Sequence, residues 1–280
     1  MNNDKIKRNT VKGLKYLSLC VFSFLALLPL YTVLITAFKT EEEYRTGNIM
    51  ALPHHWHFEN FVEAFKFANM GKAFLYSTII LVSVLVITTI LGTQMGYVLS
   101  RFKNRANTWT RNLFLFCALI PGIAMQISVY QIMYKLHLIN SLIGYIILMA
   151  GIGVVEVTIY VQYFDSIDIA LDESAILDGA SYFRTFYSIL LPMVRPAMVT
   201  TCILKGVATY NEFYLASLYL QDTHKYVTVP TSLYSFVGPY SAKYTLICAG
   251  VVISAIPALV LFVLCQKQIY SGIAAGAVKG

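Results

Sequence analysis

The chain is a succession of long apolar stretches separated by short polar ones. The apolar runs cover residues 14–38, 73–99, 112–134, 142–164, 193–219 and 245–265. Each meets the requirement of about 20 mostly apolar residues for a helix to cross a hydrocarbon core roughly 30 Å thick. Lipid offers no partners for backbone N–H and C=O groups, so only helices or closed barrels span it, and continuous apolar runs select helices. The pattern predicts an all-α integral membrane protein with six transmembrane helices. Its segments are an N-tail at 1–13, a first helix at 14–38, an outer loop at 39–72, a core of five helices at 73–265 and a C-tail at 266–280. A polar loop at 165–192 interrupts the core. The run from Leu14 to Phe38 follows basic residues, as a signal peptide would. It is too long for a signal h-region and lacks a small-residue cleavage site, so it reads as a retained helix.

Composition agrees. The 280 residues are 58% apolar and 12% charged, with mean hydropathy +0.65, against about 25% charged in soluble domains. Orientation follows from Lys and Arg near the membrane. Lys5, Lys7, Arg8 and Lys12 precede the first span and Lys15 stands at its start, and Arg101, Lys103, Arg105 and Arg111 follow the second with no acid among them. Both stretches are expected in the cytoplasm. An even number of spans returns the C-tail, with Lys267 and Lys279, to the same side, and the 165–192 loop joins it. The net charge of +7 does not point to nucleic acid, because the bases flank spans rather than forming one patch.

The five cysteines, Cys20, Cys117, Cys202, Cys248 and Cys265, lie in or at the ends of apolar runs without ligand spacing and read as packing residues. His54, His55 and His57 crowd "LPHHWHFENF". A metal site is conceivable there, but no cysteine or carboxylate completes a convincing ligand set. An aromatic connector with Trp56 and Phe58 at the interface is the favoured reading. No GxxxxGK[ST] loop is present, and no Ser/His/Asp or Cys/His set stands on the polar loops. The chain is expected not to be an enzyme and to hold no nucleotide or metal.

The stretch "ESAILDGASYFRTFYSILLP" at 173–192 is the polar interruption that needs a reason. Asp168 or a neighbour is a plausible N-cap, and Asp172 and Glu173 fall in the first turn of a short helix through Asp178. Gly179 can end that helix in a left-handed conformation, leaving Ser181 to cap a second helix from Tyr182. This predicts a helix-turn-helix elbow. Its first helix turns Ala175 and Ile176 to a partner and keeps Asp172 and Asp178 wet. The second repeats Tyr182, Phe186 and Ile189 on one face, and Pro192 marks the return to the membrane.

Glu173-Ser174-Ala175, three residues, Gly179, nine residues and Ile189-Leu190-Leu191-Pro192 resemble the "EAA, x3, G, x9, I-x-L-P" loop of bacterial ATP-binding-cassette importer permeases. Ser174 stands where the family usually has alanine. "GYVLSRFKNRA" at 96–106, "LIPGIAMQISVYQIMYKLHLINSLIGYII" at 119–147 and "GIAAGAVKG" at 272–280 are similar to the smaller, six-helix subunit of maltose-type oligosaccharide importers. "TYNEF" at 209–213 resembles its "WNEF" signature, with Tyr210 replacing tryptophan.

The resemblance implies a type I (MetI-like) importer fold in a bacterial cell membrane, with both termini cytoplasmic. It implies a second homologous permease, two ATPase subunits that carry ATP and Mg, and an extracytoplasmic sugar-binding protein. Glu173, Ser174, Ala175, Asp178, Gly179, Ile189 and Pro192 would couple to an ATPase. The tail Gly276, Ala277, Val278, Lys279 and Gly280 would reach the ATPase interface.

Ionisable residues inside spans are costly and draw functional attention. Glu156, Lys205 and Glu212 qualify, and Lys205 and Glu212, seven positions apart, are expected on one helical face. Either that face lines the pathway or a partner interface, or the charges make interhelical contacts. If the chain touches sugar, Tyr210 could stack on it while Asn211 and Glu212 bond hydroxyls. The rival reading is an ion-coupled secondary transporter with Glu156, Lys205 and Glu212 as a charge relay, and another small solute as cargo remains open. Gly92 and Gly96 form a GxxxG pair that allows close helix packing. Pro121 and Pro257 are expected to kink their spans.

Overall fold

The computed structural model describes the backbone of residues 2–237 and 242–277, and the side chains of 12–237, 242–263 and 266. Helices follow in the order α1 (Asn2–Thr36), α2 (Glu41–Thr46), α3 (Glu59–Phe67), α4 (Met70–Arg101), α5 (Arg105–Ala118), α6 (Gly122–Lys135), α7 (Leu142–Met149), α8 (Val154–Asp165), α9 (Ala170–Leu177), α10 (Tyr182–Arg184), α11 (Leu191–Met193), α12 (Arg195–Tyr210), α13 (Tyr214–Tyr219), α14 (Val229–Leu233) and α15 (Tyr244–Ala277). A π-helical segment, Thr185–Leu190, joins α10 to α11. β geometry among the described residues is limited to an isolated bridge between Val237 and Ala242.

Three described helices are long and apolar enough to cross a membrane unbroken: Lys12–Thr36, Met70–Arg101 and Tyr244–Val263. Three further spans are bent pairs. Arg105–Ala118 meets Gly122–Lys135 at 106°, Leu142–Met149 meets Val154–Asp165 at 51°, and Tyr182–Met193 meets Arg195–Tyr210 at 71°. Counting each pair once gives six spans, but those expected at 112–134, 142–164 and 193–219 are not continuous helices. Pro121 explains the sharpest bend, since it has no N–H to continue α5 and stands as N-cap of α6. Pro257, expected to kink its span, lies inside α15, whose helix continues through it.

The chain divides into two compact units. The first comprises residues 1–71 and 232–259. Leu14, Leu17, Phe24 and Leu27 on α1 are exposed, a surface that lipid tails can cover. Beyond α1 the chain knots tightly. The buried Lys39 donates to the carbonyls of Asn48 at 2.9 Å and Ile49 at 3.2 Å, and the Asn60 amide donates to those of Ala37 and Lys39. The Phe38 ring meets Trp56, Phe58 and Phe61 at centroid distances of 4.9, 5.2 and 4.9 Å. The "HHWHF" stretch thus packs as an aromatic connector. Glu41 Oε1 accepts from the N–H and hydroxyl of Thr245 at 3.0 and 2.7 Å, a carboxylate at the electropositive start of α15.

The second unit comprises residues 72–231 and 260–280. One apolar cluster gathers Ile80 and Val84 of α4, Met133 of α6, Tyr145 of α7 and Ala216 and Tyr219 of α13. Another joins Tyr97 of α4, Tyr160 and Phe164 of α8, Phe186 and Leu190 of the π segment, and Val194 and Ala197 around the start of α12. Gly92 and Gly96 make that second cluster possible. A Cβ on Gly96 would lie 2.5 Å from Tyr160 Cβ and 3.2 Å from its carbonyl carbon, and one on Gly92 would meet the Tyr160 ring at 2.8 Å.

Candidate coupling site

The 165–192 loop folds as the elbow its residues predict, with different faces buried. Asp168 Oδ1 accepts from the Ala170 N–H at 3.0 Å at the start of α9. The C-terminus closes as a Schellman turn: the Ala180 N–H donates to Ala175 O and the Gly179 N–H to Ile176 O, both at 2.9 Å. Gly179 has φ +84°, a conformation that costs a residue bearing a Cβ about 1–2 kcal/mol. Ser181 then caps α10, its hydroxyl accepting from the Arg184 N–H at 3.3 Å.

Asp172, expected in water, is buried. Its carboxylate meets the Arg101 guanidinium, with Nε to Oδ1 at 3.2 Å and Nη2 to Oδ2 at 3.0 Å. Arg101 also donates to the carbonyls of Phe164 at 2.8 Å and Ile167 at 3.0 Å. One side chain, at the last position of α4, therefore ties together the end of α8, the turn after it and α9. Ala175 is buried beside Asp172, so it faces its own chain and not a partner. The outward side presents Glu173, Ser174, Leu177 and Asp178, and Leu177 is 87% exposed. The Ser174 hydroxyl donates to Ala170 O at 2.7 Å, which engages it with its own helix and leaves a small surface.

After Ser181 the expected period slips. Pro192 has no N–H for the carbonyl four residues back, and the turn before it widens, with the Leu191 N–H donating to Phe186 O. Thr185, Phe186 and Leu190 are buried, while Tyr182 is exposed and Ile189 half-buried. The π segment thereby inserts Phe186 and Leu190 among the side chains of α4 and α8.

The intramembrane charges do not share one face. Lys205 on α12 donates to Gly151 O at 3.0 Å, in the break between α7 and α8, and stands 4.0 Å from Glu156 Oε1. Glu156 lies in the first turn of α8, where a carboxylate complements the helix dipole. Glu212, expected on the Lys205 helix, lies past its end and accepts from the Leu215 N–H at 2.8 Å, at the start of α13. Tyr210 packs against Ala73, Val227 and Val229, and the exposed Asn211 amide donates to Val207 O at 2.9 Å. Gly276 and Ala277 form the end of α15, whereas Val278, Lys279 and Gly280 lie outside the described residues. Among the described residues no group of three His, Cys, Asp or Glu side chains could hold a metal.

Residues 88–274 match the family described as the binding-protein-dependent transport system inner membrane component. The chain belongs to this family. The permease is 34% identical over 94% of its length, and 88% of the relative's, to YurM of Bacillus subtilis, a probable ABC transporter permease protein. It is 30% identical over the full length of both chains to the maltodextrin transport system permease MalD of Streptococcus pneumoniae. It is also 30% identical over 92% of its length, and 94% of the relative's, to AmyC of Thermoanaerobacterium thermosulfurigenes, a probable starch degradation products permease. Its fold superposes with TM-score 0.80, at 19% identity, on a chain of a bacterial ABC transporter that imports the acidic polysaccharide alginate, covering 91% of this chain and 94% of that one.

The permease thus has the MetI-like fold of ABC importers and is a non-catalytic inner-membrane subunit, working in a complex whose ATP is hydrolysed by separate subunits. This membership leaves the ion-coupled reading without support. Arg101 is the residue that pattern reading missed as a site residue. It served there as an orientation signal, and its position at the very end of an apolar span, where last-turn carbonyls attract cations, was the available hint.

Proposed function

We propose that this permease forms half of the pathway of an ATP-driven importer for a di- or oligosaccharide, driven through the α9 elbow. Its partners are a second homologous permease, two ATPase subunits that carry ATP and Mg, and an extracytoplasmic sugar-binding protein. Both termini and the elbow face the cytoplasm. The observation that carries the reading is the elbow's outer surface. Ile169 and Leu177 are 54% and 87% exposed on the loop that precedes the Tyr182–Met193 segment, and Tyr182 and Phe183 are 60% and 72% exposed at the start of that segment. Exposed apolar side chains of that kind at a wet elbow support a protein interface. Glu173 and Asp178 border it, and Gly276 to Gly280 reach the same partner. The sugar class rests on the names of the relatives, which include permeases for maltodextrin and for melibiose, raffinose and stachyose.

Coupling then works as rigid-body transfer. Arg101 and the Phe186–Leu190 insertion join the elbow to α4 and α8, so ATPase closure against the patch swings those helices together. Tagged protein extracted in mild detergent is expected to bring down a second permease and an ATPase bearing a GxxxxGK[ST] loop. Recovery of this chain alone would overturn the proposal. A Cβ at Gly179 would meet nothing of this chain within 4 Å, so within the subunit substitutions there act through backbone conformation. Gly179→Val should keep insertion but lose most sugar-dependent ATP hydrolysis and uptake, whereas Gly179→Asn, which tolerates positive φ, should retain both. Wild-type uptake by Gly179→Val would remove the elbow from the mechanism.

A further inference from the structure

The basic residues after α4 serve two different ends. Arg101 is engaged inside the protein. Arg111 on α5 is exposed and makes no hydrogen bond or ion pair among the described residues. It stands at the rim of a cavity of about 140 Å³ between α4, α5 and α8. The floor is apolar and buried, made by Leu99, Val157 and Val161. The rim is polar and exposed, with Thr158 and Gln162 beside Arg111, and the Gln162 amide likewise has no partner among the described residues.

We propose that this cavity is a binding site for an anionic phospholipid, with an acyl chain on the apolar floor and the phosphate held by Arg111 and Gln162. The inference rests on reading the chain as a membrane permease with the 101–111 stretch at the cytoplasmic face. Three observations select a lipid. A guanidinium and an amide without partners above an apolar floor match an amphipathic anion, whereas a free phosphate gains nothing from the floor and a neutral sugar gains nothing from the guanidinium's charge. Lys103 and Arg105 are exposed nearby and α5 carries no acid, a basic stretch of the kind found at pockets between helices that take lipid headgroups. The rest of α5 is built for lipid contact, with Trp109, Leu113 and Phe116 exposed at 76%, 60% and 61%. Thr158 donates to Val154 O, which leaves its methyl and an acceptor lone pair at the rim. The nearby acids are otherwise engaged: Asp165 accepts from Ser100, and Glu156 pairs with Lys205.

The test uses the importer complex as it copurifies in mild detergent, supplied with phosphatidylglycerol or phosphatidylcholine and read by native mass spectrometry. Wild type should retain phosphatidylglycerol in preference to phosphatidylcholine. Arg111→Gln should retain it at least about fivefold less, the change expected from one cationic side chain near a headgroup, and Arg111→Lys should keep the preference. Equal retention of both lipids, unchanged retention by Arg111→Gln, or displacement of the lipid by millimolar inorganic phosphate would each overturn the proposal. Partner chains recovered equally with wild type and variant separate a failure of this site from a failure of the subunit assignment.

Discussion

Arg101→Ala is expected to cost about 3–5 kcal/mol of stability, because removing one partner of a buried ion pair leaves the other charge uncompensated. The Arg101 and Asp172 side chains are only 8% and 10% exposed, and the carbonyls of Phe164 and Ile167 lose their donor in the same step. The measurements are the yield of monodisperse complex and its thermal unfolding midpoint. A second variant separates folding from coupling. Replacing both partners by apolar residues of similar size, Arg101→Met with Asp172→Leu, should recover part of the stability, since buried pairs exchange for apolar contacts at little net cost while the Phe164 and Ile167 carbonyls stay without their donor. If the clamp transmits force, the double variant should assemble yet import sugar more slowly per ATP hydrolysed. Full uptake by that assembled variant would confine Arg101 to a structural role.

Gly96→Val should be the most damaging substitution at the Gly92–Gly96 pair. The first added carbon would lie 2.5 Å from Tyr160 Cβ and within 3.3 Å of the backbone at Tyr160 and Val161, so α8 itself must retreat. Overpacking of this kind costs about 1–3 kcal/mol and can cost more when backbone is the obstacle. Tyr160 cannot simply swing aside, because its hydroxyl bonds Thr201 Oγ1 at 2.6 Å. A ranking checks the argument: thermal stability should fall in the order Gly92→Ala, Gly96→Ala, Gly96→Val, since the Gly92 obstacle is the far side of a ring and the Gly96 obstacle includes backbone. Gly92→Ala more damaging than Gly96→Ala would refute the packing described for this pair.

The elbow was legible because its signals are local. Gly179 supplies a positive φ that few residues adopt, Ser181 supplies a cap two positions later, and neither depends on distant chain. The burial of Asp172 was not legible for the opposite reason. Its partner Arg101 lies 71 positions away, and no periodicity relates the two. The helix breaks divide in the same way. Pro121 announces the bend between α5 and α6, whereas the break at 150–153 contains no proline and an apolar window runs across it, and the break at 211–213 contains no proline and is marked only by Asn211 and Glu212. Hydropathy reports what lipid tolerates, not whether a helix is continuous. That is why the Lys205–Glu212 face, drawn on an unbroken helix, dissolved when α12 ended at Tyr210.

The contact between Lys205 and Glu156 also bears on biogenesis. Glu156 leaves the ribosome well before Lys205, so during synthesis the α7–α8 segment enters the bilayer carrying a carboxylate whose counter-ion has not yet been made. An isolated charge at that depth is unfavourable enough to weaken retention of a span, while the finished pair satisfies both groups and the orphaned carbonyl of Gly151. The segment is therefore expected to be held more firmly once α12 arrives beside it. The elbow between α8 and α12 is the tether that keeps the two charges within reach.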